Sequence, residues 1–181
     1  MLQNDGFHVA VVGATGAVGQ KIIEMLELRK FPMKQLSLLA SKRSAGKKTF
    51  YNGEAITIKE ATPEAFEGVD IALFSAGGSI SKQLAHEAVK RGAVVVDNTS
   101  AFRMDEKVPL VVPEVNERDI QQHNGIIANP NCSTIQMVAA LEPIRKAYGL
   151  SRVIVSTYQS VSGSGAQAVE ELKQQAKDYL D

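Results

Sequence analysis

Six residues, Phe7-His8-Val9-Ala10-Val11-Val12, run directly into Gly13-Ala14-Thr15-Gly16-Ala17-Val18-Gly19, and an amphipathic stretch follows at once. A short, nearly continuous apolar run is what a strand buried on both faces requires, as in a parallel sheet. Beyond the glycines, Val18, Ile22, Met25 and Leu26 fall on one helical face, with Gln20, Lys21, Glu24 and Glu27 largely elsewhere. Strand, glycine turn and helix in this order make a βα unit with a helix N-terminus at the end of a buried strand. The unpaired N–H groups there attract anions, phosphate above all. The spacing is G-x-x-G-x-x-G rather than the commoner G-x-G-x-x-G, but the physical demands are shared. Glycine permits a tight turn, lets backbone approach phosphate, and allows helix to pack closely on strand. Gly13, Thr15, Gly16, Ala17, Val18 and Gly19 are therefore candidate cofactor-binding residues, and a plain strand-to-helix turn is the alternative.

The same alternation continues downstream. Gln35–Ala40, Val69–Phe74, Ala93–Val96 and Gly125–Ala128 read as further strands of a parallel sheet, with helical patterns between them. This favours a doubly wound α/β domain. Phe50-Tyr51-Asn52-Gly53-Glu54-Ala55 predicts a hairpin with a type I′ Asn-Gly turn. Ser75-Ala76-Gly77-Gly78 leads into a helix containing Leu84, Ala85, Ala88 and Val89. Its small residues Ser75, Ala76 and Gly77 would let a cofactor lie against backbone at a strand's carboxyl end. After the second strand, an enzyme preferring NAD carries an acidic residue for the ribose hydroxyls. Here the residues are Ser41-Lys42-Arg43-Ser44, with Lys47 and Lys48 following. The hydroxyls of Ser41 and Ser44 and the planar fork of Arg43 suit a 2′-phosphate, predicting NADP, against the alternative of a solvated basic loop.

Cys132, the single cysteine, sits in Ala128-Asn129-Pro130-Asn131-Cys132-Ser133-Thr134, where a loop is predicted to turn into a helix. A thiol is a nucleophile only as its thiolate, and a helix N-terminus lowers a cysteine pKa from about 8.5 by one or more units. A lone cysteine is otherwise a small buried hydrophobe. Beside a nucleotide signature it points to redox chemistry through a thiol adduct. Past it, Ile135, Val138, Ala139 and Leu141 predict a helix that Pro143 kinks or interrupts. Val153–Gln159 predicts a strand, and Ala166, Val169, Leu172, Ala176, Tyr179 and Leu180 lie on one face of a last amphipathic helix. The chain thus divides into a nucleotide-binding domain, 1–131, and the opening of a second α+β domain, 132–181, cut short.

Among 181 residues, 20 basic and 20 acidic side chains cancel, so nothing favours nucleic acid or an anionic membrane surface. No apolar run approaches the ~20 residues that span a bilayer. Met1-Leu2-Gln3-Asn4-Asp5 lacks the basic and apolar regions of a secretory signal. An unpaired cysteine fits a reducing compartment, and the expectation is a soluble cytoplasmic protein. His8, His86 and His123 are far apart and form no ligand pair at helical spacing, so no metal is expected.

Several segments together carry a family resemblance. They are the Gly13 to Gly19 loop, Leu73-Phe74-Ser75-Ala76-Gly77-Gly78, and Val96-Asp97-Asn98-Thr99-Ser100-Ala101-Phe102-Arg103. Val108-Pro109-Leu110-Val111-Val112-Pro113-Glu114-Val115-Asn116 and Asn129-Pro130-Asn131-Cys132-Ser133-Thr134-Ile135-Gln136 add to it, and Tyr158-Gln159-Ser160-Val161-Ser162-Gly163 extends it. The chain resembles the bacterial aspartate-semialdehyde dehydrogenases over nearly its whole length, most specifically around the cysteine. The resemblance implies a Rossmann-like nucleotide domain followed by the start of a catalytic and dimerisation domain. It also implies interconversion of aspartate 4-semialdehyde and 4-phospho-aspartate with NADP and inorganic phosphate, in lysine, threonine and methionine biosynthesis. Cys132 would form the thioester, which preserves acyl reactivity until phosphate arrives. Arg103 matches the phosphate-binding arginine, Asn131 a residue contacting substrate or phosphate, and Gln159 the glutamine that positions substrate near the thiol. Ser162 and Gly163 lie where the family approaches the nicotinamide. Their structural alternatives are a surface ion pair, a loop-capping amide and a strand-end polar residue for Arg103, Asn131 and Gln159 respectively.

The resemblance further implies a longer polypeptide, dimeric or a higher homo-oligomer. Its second half supplies the acid/base histidine, the arginine for the substrate carboxylate, and a helix that returns to complete the nucleotide domain. The 181-residue chain alone is then expected to lack efficient turnover. An N-acetyl-glutamyl-phosphate reductase is the nearest rival within the enzyme class, and a non-catalytic NADP-binding module is the alternative outside it.

Overall fold

A computed structural model of the chain describes residues 6–180. The opening pentapeptide Met1-Leu2-Gln3-Asn4-Asp5, on which the signal expectation rests, lies outside the described residues, as does Asp181. In order come β1 (Phe7–Val12), α1 (Ala17–Leu28), β2 (Met33–Ala40), β3 (Lys48–Tyr51), β4 (Glu54–Thr57), β5 (Lys59–Glu60) and β6 (Ile71–Phe74). Then follow α2 (Gly78–Lys90), β7 (Val94–Asp97), α3 (Pro113–Asn116), β8 (Ile126–Ala128), α4 (Cys132–Tyr148) and α5 (Ala166–Leu180). Six strands form one sheet in the order β5-β2-β1-β6-β7-β8, every pair parallel. The strand order reverses between β1 and β6, the switch point at which ligands of open α/β sheets collect.

The apolar run of β1 is explained by its position. Val9 and Val11 face one side, packing with Leu36, Leu38 and Ile23, while Ala10 and Val12 face the other. There Leu84, Ala85 and Ala88 of α2 cover the sheet, and Phe66 stacks on Phe74 at 5.7 Å. Cover is less complete on the α1 side. Ile71, Leu73, Val94, Val96 and Ile127 are only half-buried. Leu73 lines an apolar groove of about 500 Å³ with Val18, Ile22, Met25 and Leu26 of α1 and with Phe31.

The β3–β4 hairpin stands apart as a separate two-stranded sheet. Its turn residues Asn52 and Gly53 have φ of +50° and +80°, the paired left-handed conformation of a type I′ turn. Two expectations are corrected. Pro143 does not interrupt α4, which runs on to Tyr148 at the cost of one ladder hydrogen bond. Val153–Gln159 forms no strand: these residues are irregular and exposed, Tyr158 completely so. A strand is stable only where a neighbour takes its N–H and C=O groups, and none pairs with this segment among the described residues. Among those residues no helix is long and apolar enough to cross a membrane.

The glycine turn is set by close packing within the protein. A Cβ on Gly19 would stand 2.1 Å from the Gly13 carbonyl oxygen, whereas one on Gly163 would meet nothing within 4 Å. Gly19→Ala is therefore expected to destabilise the fold by about 1–3 kcal/mol, the cost of overpacking a tight contact, with Gly163→Ala near neutral. Urea unfolding checks this, and equal midpoints for the two variants would contradict it.

Candidate active site

Three strand ends meet at the switch point. The N–H groups of Gly13 and Ala14 donate to the Leu39 carbonyl at 2.8 and 3.1 Å, while Ser75 donates its N–H and its hydroxyl to the Val12 carbonyl at 2.8 and 3.0 Å. These bonds hold the turns after β1, β2 and β6 around one cavity of about 810 Å³. Gly13, Thr15, Gly16 and Val18 line it together with Ser41, Lys42, Ser75, Ala76 and Gly77. Gly16 precedes α1 and no side chain caps the first turn of that helix. Those N–H groups are free for an anion, so the residues present fit the pyrophosphate of a nicotinamide dinucleotide.

The loops after β7 and β8 also contribute to the lining. Asp97 is fully buried and accepts from the Ser81 hydroxyl (2.9 Å) and from the Thr99 N–H (3.1 Å) and hydroxyl (2.8 Å). This fixes the turn that carries Asn98, Thr99 and Ser100 into the lining. Arg103 joins them and donates from Nε to the Asn129 carbonyl at 2.9 Å and from Nη2 to the Asn98 carbonyl at 3.0 Å. Asn131 also lines the cavity and caps α4: its Oδ1 accepts from the Ser133 N–H at 3.0 Å. Cys132 is the next residue, the first of α4, and is exposed. The Asn131 side-chain N–H donates to Gln159 Oε1 at 3.2 Å, bringing Gln159 beside the cysteine loop.

The candidate residues thus divide. Gly13, Thr15, Gly16, Val18, Ser41, Ser75, Ala76, Gly77, Arg103, Asn131 and Gly163 share one cavity. Ala17 and Ser162 face the apolar groove along α1. Gly19 is buried beneath the turn, and Ser44 is buried while Arg43 is exposed. Lys42 lines the cavity where Arg43 does not. Sequence reasoning also passed over Glu60, Gln83, Asn98 and Thr99, all of them in the lining. The signal for Asn98 and Thr99 is that they follow β7 at its carboxyl end; Glu60 pairs with Ala40 at the end of β2.

No histidine lines this cavity among the described residues. His8 is buried in the sheet, its Nδ1–H donating to the Gly68 carbonyl at 2.9 Å and its Nε2 accepting from the Ser37 hydroxyl at 2.8 Å. His86 packs edge-on against Phe102, and His123 accepts from the Gly125 N–H. Among the described residues no three His, Cys, Asp or Glu side chains are grouped to hold a metal.

Two semialdehyde dehydrogenase family models match the chain: the NAD binding domain over residues 8–123 and the dimerisation domain over residues 141–181. The chain is 70% identical over 176 residues to aspartate-semialdehyde dehydrogenase of Bacillus subtilis, covering 97% of this chain and 51% of that protein. Aspartate semialdehyde dehydrogenase II from Vibrio cholerae superposes with a TM-score of 0.89 at 50% identity, over 97% of this chain and 53% of that one. A crystal structure of the Candida albicans aspartate semialdehyde dehydrogenase with NADP gives a TM-score of 0.67 at 32% identity, over 80% and 48%. The chain spans about half the length of the curated relatives it matches.

The helix that presents Cys132 carries its own electrostatic staple. Glu142 is buried and held by Arg145 Nε at 2.6 Å and Nη2 at 2.8 Å, with Lys146 Nζ at 3.4 Å. The Arg145 guanidinium pulls the Glu142 carboxyl from about 4.5 down to about 2. A lowered folded-state pKa stabilises the fold above the unfolded value, and that contribution is lost as pH falls from about 4.5 toward about 2. NMR titration of the Glu142 carboxyl should give a midpoint near the lower value and, in Arg145→Ala, one shifted up; an ordinary midpoint in the unsubstituted chain would contradict the staple.

Proposed function

The chain belongs to the semialdehyde dehydrogenase family, whose NAD-binding domain covers residues 8–123, and from that premise we propose that it is the N-terminal portion of an aspartate-semialdehyde dehydrogenase. The activity is NADP-dependent, phosphorylating interconversion of aspartate 4-semialdehyde and 4-phospho-aspartate, in cytoplasmic lysine, threonine and methionine biosynthesis. One observation carries this reading. A single cavity is lined by the glycine turn at an uncapped helix start and by Arg103 and Asn131, and Cys132 follows Asn131 at the start of α4. In support, the matched relatives are aspartate-semialdehyde dehydrogenases, and the Candida albicans neighbour was crystallised with NADP.

In the oxidative direction the Cys132 thiolate sulfur adds to the aldehyde carbon, forming a C–S bond and a hemithioacetal oxygen. NADP, when bound, supplies the acceptor for the hydride that this carbon gives up as the thioester forms. Gln159, tied to Asn131, orients the substrate beside the sulfur. Arg103 holds inorganic phosphate, one oxygen of which attacks the thioester carbon. The C–S bond breaks, the acyl phosphate leaves, and the thiolate is restored. Proton transfer and binding of the α-carboxylate fall to a histidine and an arginine of the second domain, which we assign from residue 132 onward and take as the homodimer interface.

Ser41 and Lys42 in the lining, with Arg43 exposed beside them, support the 2′-phosphate of NADP. A charge-assisted contact is worth about 1.5–3 kcal/mol, roughly 10- to 150-fold in affinity. An enzyme comprising this chain and the rest of its second domain should form NADPH from aspartate semialdehyde only with phosphate, and should use NADP better than NAD. The 181-residue chain alone should show no appreciable turnover. Lys42→Ala should weaken NADP about 10-fold or more and leave NAD unchanged. Equal use of both cofactors would overturn the cofactor assignment, and preference for N-acetyl-glutamate semialdehyde would overturn the reaction.

A further inference from the structure

We propose that Asn98 and Asn129 form a paired-amide clamp that presets the Arg103 guanidinium for inorganic phosphate, so that both are positioning residues of the phosphate site. This deepens the reading of Arg103 given above and rests on it. The two asparagines occupy equivalent places, each the first residue beyond its strand, and their strands are neighbours in register, Asp97 opposite Ala128. Main-chain bonds extend that register outward: the Asn98 N–H donates to the Phe74 carbonyl at 2.9 Å and the Asn129 N–H to the Asp97 carbonyl at 3.1 Å. Beyond the sheet the side chains meet directly, Asn129 Nδ2 donating to Asn98 Oδ1 at 2.6 Å. The main-chain carbonyls of the same two residues are the acceptors that hold Arg103, at 2.9 and 3.0 Å.

The geometry of guanidinium gives this arrangement its consequence. Nε–H and one proton of Nη2 form the side edge of the planar group, and both are spent on protein carbonyls. The end edge, one proton each from Nη1 and Nη2, has no partner among the described residues and belongs to a side chain that lines the cavity. Two parallel N–H groups on a plane fixed in advance are what bidentate binding of a phosphate requires. An arginine held by both carbonyls has already surrendered its rotamer freedom before the ligand arrives.

The clamp also carries a cost that stability alone does not account for. Asn129 Oδ1 is buried without a hydrogen-bond partner, the one such side-chain atom found among the described residues. Two apolar or fully satisfied side chains would tie the loops without leaving an acceptor unpaired, and retained imperfections of this kind gather at functional sites.

Titration of inorganic phosphate into the chain, followed by ³¹P NMR, tests the clamp in a double-mutant cycle. Asn129→Ala and Asn98→Ala should each weaken phosphate by about 2- to 10-fold, the range expected for loss of one hydrogen bond. In an Arg103→Ala background, where phosphate binding is already weakened, neither substitution should change it further. Should Asn129→Ala fail to fold, Asn98→Ala carries the same expectation. Full phosphate affinity in the folded asparagine variants, or an equal loss with and without Arg103, would overturn the clamp and leave the reading of Arg103 intact. Unchanged affinity in Arg103→Ala, or no phosphate binding by the unsubstituted chain, would overturn both.

Discussion

At the turn after β1 the protein brings backbone against backbone with no side chain between. Gly13 has φ of +91°, and a Cβ on it would come within 2.8 Å of the Ala76 nitrogen. Gly19 lies as tightly on the carbonyl of Gly13. These contacts, with the hydrogen bonds to the Leu39 and Val12 carbonyls, place the ends of β1, β2 and β6 around one opening. Glycine at 13 and 19 therefore answers first to the protein's own packing. The uncapped start of α1 and the cavity beside it follow from that packing.

The loops after β7 and β8 depend on a different device. Here polar side chains do the work that backbone contact does at the glycine turn. The buried Asp97 collects three donors and fixes the chain beyond β7, and Asn131 caps α4 so that Cys132 begins a helix instead of trailing in a loop. Arg103 spans the loops after β7 and β8. Each of these groups is held at the carboxyl edge of the sheet, although their residues are far apart in sequence.

What the sequence disclosed was what short-range physics decides. The β1–turn–α1 unit, the Asn52-Gly53 hairpin and the helix start at Cys132 rest on patterns a few residues long, and the structure has them where they were expected. Within the basic segment after β2 the sequence pointed to Arg43, whereas Lys42 is the cation in the lining, and Glu60 and Asn98 were missed as cavity residues. Glu60 reaches the cavity only through a two-residue strand beside β2, and Asn98 only through its register with β8. Val153–Gln159 failed for the converse reason: its β-branched residues have strand propensity, but pairing is a tertiary property and no partner stands beside it among the described residues. The half-covered α1 side of the sheet was likewise invisible to periodicity, which reports that a face is apolar and not what lies against it.

In the proposed mechanism Cys132 carries the acyl group between hydride loss and phosphate attack. Mass spectrometry of the complete enzyme, mixed with aspartate semialdehyde and NADP in the absence of phosphate, tests it most directly. About one equivalent of NADPH per site is expected, the arithmetic of a stalled covalent turnover, with an aspartyl thioester on the peptide containing Cys132 that disappears when phosphate is added. NADPH formed with no adduct on that peptide, or an adduct that phosphate does not discharge, would contradict it.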